Sequence, residues 1–414
     1  MKHLFKTMGP GLLYAGAAIG VSHVYWASSA GAQYGFGLVW AIVLAHIAKY
    51  PFFQMGPRYA IATGRNLIQG YRRLGMWAFV LFIAFTVTTM FTIQAAVTVV
   101  TAGLAENLFG WHIPPWKWSA VLLGICAILL LSGKYATLDR AIKYIILVLT
   151  VTVIVSVIAG IGGGFHPATT NPFTWDLVGI AFLISLMGWM PAPLDLSVWH
   201  SVWTLEKQKV LKRNLTMKQS LLDFHIGYWG TMVMGILFLT LGAFVIYGTG
   251  TPIETSAGKY ANQFISIFTA SIGPWVYWFI AIAAFATMFS TTITCFDALP
   301  RVMESATKEA IDPSTSGRIP KAGRRYYWFW MLILFAGVLV MLGLLVSSMK
   351  HMVTIATAAS FLIAPVHALI NYLVITGKDV PKESRPDLLH HVLCWFGLAF
   401  LTGFGVLYVW IMIA

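Results

Sequence analysis

Two short stretches carry the residue types that could do chemistry in an otherwise apolar chain. Gly20-Val21-Ser22-His23 puts a hydroxyl and an imidazole at a glycine break in the first apolar helix. Met190-Pro191-Ala192-Pro193, followed by Asp195, puts two prolines and a carboxylate at a break in the sixth. In hydrocarbon, a backbone that leaves the helix exposes N–H and C=O groups at considerable cost, so such breaks persist only where protein, water or a ligand satisfies them. Pro191 and Pro193 remove two ladder donors within one turn, which is harder to read as a plain packing kink. Discontinuous helices at matching places in two halves of a membrane chain point to the binding site of a secondary transporter.

The chemistry such a site offers follows from helix ends. A helix restarted at mid-membrane begins with free N–H groups and the positive end of its dipole, which favour an anion. Ser22 and His23 open the second half of the first helix, and Pro193 suits the first position of the second half of the sixth. His23 titrates near neutral pH and is a functional candidate by default; its structural alternative is a neutral polar bridge between helices. If Ala192 caps the second half-helix, Asp195 stands at its third position and complements the dipole, against a role as cation ligand or proton carrier. Ser290, Thr291, Thr292 and Thr294 could, with carbonyls freed near Gly20, cage a sodium ion, or serve as interhelical hydroxyl contacts. Gln94 adds a hydrogen bond to either site. Trp26 and Trp189 flank the breaks as gates or as core filling. His200 and His225 near the cytoplasmic interface read as structural, and Asp223 and Asp297 as partners of Lys218 or Arg301.

The elements that must position these residues are legible from composition. Of 414 residues, 58% are hydrophobic and only 10% charged, which excludes an ordinary soluble domain. Apolar stretches long enough to span fall at about 9–33, 35–57, 76–104, 114–133, 141–164, 177–201, 224–248, 272–299, 327–348, 352–376 and 389–413, giving eleven transmembrane helices in an all-α chain. The first lacks the short apolar core and small-residue cleavage site of a signal peptide. With the N-terminus in the cytoplasm, only Lys117, Lys259 and Lys350 of the 27 basic residues fall outside; Lys49 is among those assigned inside. The C-terminus is then outside, in a bacterial-type inner membrane. The net charge of +13 is explained by short cytoplasmic loops facing anionic lipid, without nucleic acid. Cys126, Cys295 and Cys394 have no paired spacing and read as buried hydrophobes. The polar stretch from Arg301 to Arg325 reads as a cytoplasmic linker. Five helices per half is an odd number, so the halves are inverted: 1–165 is the first repeat, 166–376 the second, and 377–414 an additional helix eleven.

At this level the chain resembles the NRAMP family of proton-coupled divalent-metal transporters, which have a LeuT-type 5+5 inverted-repeat fold with broken helices 1 and 6. Gly9-Pro10-Gly11 is similar to the family's start of helix one, and Ile61-Ala62-Thr63-Gly64-Arg65-Asn66-Leu67 to its Ile-Ala-Thr-Gly-Lys-Asn-Leu segment after helix two. Ser290-Thr291-Thr292-Ile293-Thr294 with Val302-Met303-Glu304 resembles its helix-eight signature at the same spacing. The departures are equally informative. The family's Asp-Pro-Gly-Asn falls on Gly20-Val21-Ser22-His23, so the metal-binding carboxylate becomes Gly20 and the amide His23. Anchoring on Gly188 and Pro193 puts Ala192 at the family's metal-binding Met and Leu194 at its His, although Met190-Pro191 also resembles the family's Met-Pro. Aligning Asn107-Leu108-Phe109-Gly110 puts Gln94 and Val97 where the family has two acids on its proton route.

A divalent cation normally needs anionic oxygen or soft sulfur to offset its dehydration, and Gly20, Ala192 and Val97 supply neither. The reading is therefore a secondary transporter of a small inorganic or carboxylate anion such as bicarbonate, with sodium as the only candidate co-ion and no metal site. Its substrate site comprises Gly20, Ser22, His23, Gln94, Pro191, Ala192, Pro193 and Asp195. The alternatives are a magnesium or manganese transporter using Asp195, His23 and carbonyls, a carrier of a small amino acid, and a non-transporting receptor. No nucleophile–base cluster or nucleotide loop argues for an enzyme.

Overall fold

The computed structural model describes residues 9–132, 135–162, 173–212, 214–311, 323–345 and 348–413; among these there are fifteen α-helices and no strand. The first apolar stretch is three pieces: α1 (Pro10–Ala18), a π-helical turn (Ser22–Ala27) and α2 (Ser28–Tyr34). Then come α3 (Val39–Thr63), α4 (Leu67–Leu74), α5 (Met76–Phe109), α6 (Pro115–Leu131) and α7 (Tyr135–Gly162). The sixth apolar stretch is split into α8 (Leu177–Gly188) and α9 (Leu196–Leu211). It is followed by α10 (Met217–Val245), α11 (Ala257–Ile272), α12 (Tyr277–Ile311), α13 (Gly323–Val340), α14 (Met349–Thr376) and α15 (Leu388–Ile413).

Six of the described helices are long and apolar enough to cross a membrane by themselves: those at 76–109, 217–245, 274–311, 325–345, 349–376 and 388–413. The first and sixth expected spans are broken and that at Pro115–Leu131 is short, so length and composition alone do not select them. Ends also differ from the apolar runs. α10 begins seven residues earlier than its apolar stretch because Thr216 and Gln219 form a capping box. α12 continues through Pro300 to Ile311, carried by i,i+4 ion pairs Asp297–Arg301 and Glu304–Lys308 at 2.6 Å each. The polar linker expected from Arg301 is thus helical in its first part, and 312–322 lie outside the described residues.

Two helices were not expected. α4 starts at a capping box of Asn66 and Gln69 and buries Leu67, Ile68 and Tyr71 while ending in Arg72 and Arg73. α11 buries Tyr260, Ala261, Phe264, Ile265 and Phe268 on one face. Outside the spans, Asp176 caps α8. The N–H of Gly179, at 2.8 Å, and the Thr174 hydroxyl hold its carboxyl below the usual range.

The first helix packs along α10 with both of its halves. Contact is backbone on backbone: a Cβ at Gly11 would lie 2.0 Å from the Asp223 carbonyl oxygen, one at Gly31 1.9 Å from that of Leu239, and one at Gly242 2.2 Å from that of Ser28. α5 packs on α12 and α14, and α3 on α9 and α10, so the two breaks lie within the bundle. Cys126, Cys295 and Cys394 are free and buried.

Candidate functional site

The break in helix one is a short irregular step. α1 ends at Ala18, the Gly20 N–H bonds to the Ala18 carbonyl at 2.9 Å, and the chain resumes as a π turn from Ser22. A π turn leaves its ladder out of α register, a feature found often at functional sites. Gly20 faces α12: a Cβ there would meet Thr291 Cγ2 at 2.9 Å. The Thr291 hydroxyl reaches the carbonyls of Gly16 at 3.1 Å and Ile19 at 3.3 Å, beside its own Thr287 carbonyl at 3.3 Å. The Ala18 carbonyl is met by the Ser22 hydroxyl at 3.1 Å. The carbonyls freed by this break are thus bonded by the chain's own hydroxyls.

His23 is completely buried, and both its ring nitrogens are engaged. Nε2 donates to the Thr231 carbonyl of α10 at 3.0 Å, and Nδ1 lies 2.8 Å from the Ser22 hydroxyl. With a carbonyl on Nε2, that nitrogen carries the proton in the neutral ring, leaving Nδ1 as acceptor. The single Ser22 proton is then shared between Nδ1 and the Ala18 carbonyl.

At the second break, α8 ends at Gly188, Met190-Pro191 is cis, and α9 begins only at Leu196. The half-helix therefore starts later than Pro193. Asp195 is the residue before α9 and makes no side-chain capping bond, which corrects the expectation that Ala192 caps and Asp195 complements the first turn. Its Oδ1 lies instead 3.7 Å from Nδ1 of His367 on α14; Oδ2 of Asp195 and Nε2 of His367 have no hydrogen-bond partner.

The carbonyls of this break are taken by a residue that charge patterning misplaces. Lys49, assigned above to the cytoplasmic side, sits inside α3 with no exposure, and its Nζ donates to the carbonyls of Met187 at 2.7 Å, Gly188 at 2.8 Å and Ala192 at 3.4 Å. A lysine inside an apolar stretch is itself a signal, and counting it with the loop residues hid it. His367, also inside an apolar run, gave the same signal.

α12 and Gln94 of α5 form a polar seam. The Gln94 amide donates to the Thr292 carbonyl at 3.2 Å and to the Thr98 hydroxyl at 3.1 Å, while its Oε1 has no partner. Thr292 shares a 2.7 Å bond with the Thr101 hydroxyl and donates to Met288 at 2.9 Å. Ser290 and Thr294 are buried on the same helix. Trp26 packs edge-on against Tyr25 and Phe182, its indole N–H unpartnered; that of Trp189 donates to Ser360 of α14 at 2.8 Å. The Tyr260 hydroxyl of α11 bonds to the Val24 carbonyl and, at 3.0 Å, to Ser28. Val21, Pro191, Ala192 and Pro193 are buried.

Towards the N-terminal end of α1, Tyr14 and His200 stack at 5.8 Å, and neither the Tyr14 hydroxyl nor either His200 nitrogen has a partner. His225 bonds to Tyr50 at 2.9 Å, as expected of a structural histidine. Asp297 pairs with Arg301 and accepts from Tyr327 at 2.6 Å. Asp223 accepts the N–H of Gly11 at 2.7 Å and of Gly9 at 3.3 Å, so it caps α1 from α10. Among the described residues, no three His, Cys, Asp or Glu side chains converge in a way that could hold a metal ion.

A family model described as Nramp, natural resistance-associated macrophage protein-like, matches residues 11–411. An uncharacterized protein of Pasteurella multocida is 33% identical over 98% of this chain and 92% of its own. The divalent metal cation transporter MntH of Pediococcus pentosaceus is 26% identical, covering 71% of this chain and 68% of its own. Among solved structures, a mutant of the manganese transporter of Eremococcus coleocola superposes with a TM-score of 0.65 at 16% identity, over 98% of this chain and 86% of its own.

Proposed function

Because this chain belongs to the Nramp family of transporters and has its LeuT-type fold, we propose that it works by alternating access on a small anion of bicarbonate size. The observation that carries this reading is the contact of Gly20 with Thr291. The position that matches the family's metal-binding carboxylate has no side chain, and a Cβ there would lie 2.9 Å from Thr291 Cγ2. The carbonyls of Gly16 and Ile19 that could replace it as cation ligands are bonded to the Thr291 hydroxyl. What the breaks offer is the positive dipole ends of new helical segments at Ser22 and Leu196, which favour negative charge.

On this reading the anion is received between the breaks by Gly20, Ser22, His23, Gln94, Pro191, Ala192 and Pro193. Asp195 is turned to His367. Trp26 and Trp189 gate the site, and a sodium co-ion at Ser290, Thr291, Thr292 and Thr294 would have to displace the bonds of Thr291 to Gly16 and Ile19. The same proposal places the repeats at 1–165 and 166–376, with helix eleven beyond, and the N-terminus in the cytoplasm of a bacterial-type inner membrane. The test is flux into liposomes carrying the purified protein: a bicarbonate gradient changes internal pH, while manganese and magnesium do not enter.

A divalent cation is the second reading. It is favoured by the unpartnered Oδ2 of Asp195 and Nε2 of His367, and by the named activity of the MntH relatives. Manganese or magnesium flux that disappears in Asp195→Asn, with no bicarbonate flux, supports it and overturns the anion.

A further inference from the structure

The geometry around Lys49 points to a tethered cation: we propose that its ammonium fills a carbonyl cradle in the break of helix six, a site that would otherwise take a free monovalent cation of ammonium or sodium type. The cradle consists of the carbonyl oxygens of Met187, Gly188 and Ala192, at 2.7, 2.8 and 3.4 Å from Nζ. All three are acceptors, and only the charged ammonium has three N–H groups to meet them. Two of them belong to the C-terminal end of α8, where the dipole carries partial negative charge and a cation is favoured.

Neither packing nor interface anchoring accounts for this lysine. An ordinary lysine near a membrane surface extends its stem so that the charge reaches water, whereas Lys49 has no exposed surface. A buried ammonium is costly unless its hydrogen bonds are met, and here they are met only by backbone that the break has released from the helix. The tether comes from α3, which stands outside the broken helix. Replacing a soluble ion by a side chain fixes the donor in the break, so occupancy does not depend on ion concentration. The inference concerns the cradle alone and holds whichever substrate the protein carries.

The experiment cuts the tether and offers a free cation. In Lys49→Ala, methylammonium chloride raises the melting temperature of the purified full-length protein by a few degrees over choline chloride at equal ionic strength, because a ligand that binds only the native state stabilises it. The wild type shows no such shift, its cradle being filled. In liposomes, methylammonium restores severalfold the flux that Lys49→Ala has lost, with bicarbonate or manganese as the probe, whichever the wild type carries. Lys49→Met keeps the apolar stem and takes the place of the alanine variant where that one does not fold. A folded variant whose melting is indifferent to methylammonium overturns the proposal, as does a wild type that responds equally. The melting arm needs no substrate, so an absence of bicarbonate flux leaves it standing and counts only against the anion reading.

Discussion

The carboxylate of Asp195 and the imidazole of His367 face each other across the bundle at 3.7 Å, and each keeps its far atom without a hydrogen bond. Both side chains are almost wholly buried, so neither far atom is served by bulk water. Leaving such groups unmet carries a desolvation penalty of about 1–3 kcal/mol each, more when charged, and a protein that retains them has a use for them.

Asp195→Asn separates use from structure. A residue capping α9 would cost about 1 kcal/mol on removal, but Asp195 makes no capping bond. The melting temperature therefore stays within a few degrees of wild type, while flux in liposomes falls about tenfold or more, equivalent to about 1.4 kcal/mol of barrier. A variant with normal flux and a large loss of stability would assign Asp195 to the scaffold.

Gly20→Asp restores the family's acid in sequence but not in space. The new Cβ meets Thr291 Cγ2 at 2.9 Å, so the substitution destabilises by about 1–3 kcal/mol and brings no manganese flux. Combining it with Thr291→Ser removes that methyl and recovers most of the stability. Thermal unfolding of the single and double variants, beside manganese uptake, measures both effects.

His23→Ala deletes the imidazole at the restart of helix one and removes its side-chain bond to the Thr231 carbonyl of α10. Anion flux drops about tenfold or more, and stability falls by about 0.5–1.5 kcal/mol for the lost hydrogen bond. His23→Gln can donate again to Thr231 and recovers stability. If bicarbonate flux in His23→Ala equals that of wild type, the imidazole has no part in the site.

Close approach of helix one to α10 makes its glycines sensitive. Gly11→Ala and Gly242→Ala place a methyl about 2 Å from a backbone oxygen and cost about 1–3 kcal/mol or more. Gly124→Ala in α6 has open space and gains up to about 1 kcal/mol of helix propensity. Melting curves of the three variants order them accordingly.

The broken helices and the long spans were legible because apolar runs and their Gly and Pro interruptions are local properties. α4 and α11 were not, since short amphipathic helices do not register as apolar runs, although Asn66 and Gln69 do spell a capping box. The partners of the site residues were the least legible part. Nothing local to His23 names Thr231, nothing near Asp195 names His367, and the charge rule that oriented the chain also concealed Lys49. The cap that Asp223 gives α1, more than 200 residues away in sequence, has no local signal either. Which side chain meets which carbonyl depends on helix rotation and register across the bundle, and hydropathy carries neither.

Tyr260 gives α11 a mechanical role. Its hydroxyl holds the Val24 carbonyl and Ser28, and its ring packs edge-on against Tyr25 at 4.8 Å, so the second half of helix one is joined side-on to a helix that joins α10 to α12. Any swing of that half must either snap this joint or drag α11 with it. The exposed face of α11, with Asn262 and Ser266, is then the accessible side of a helix tied to the second half of helix one.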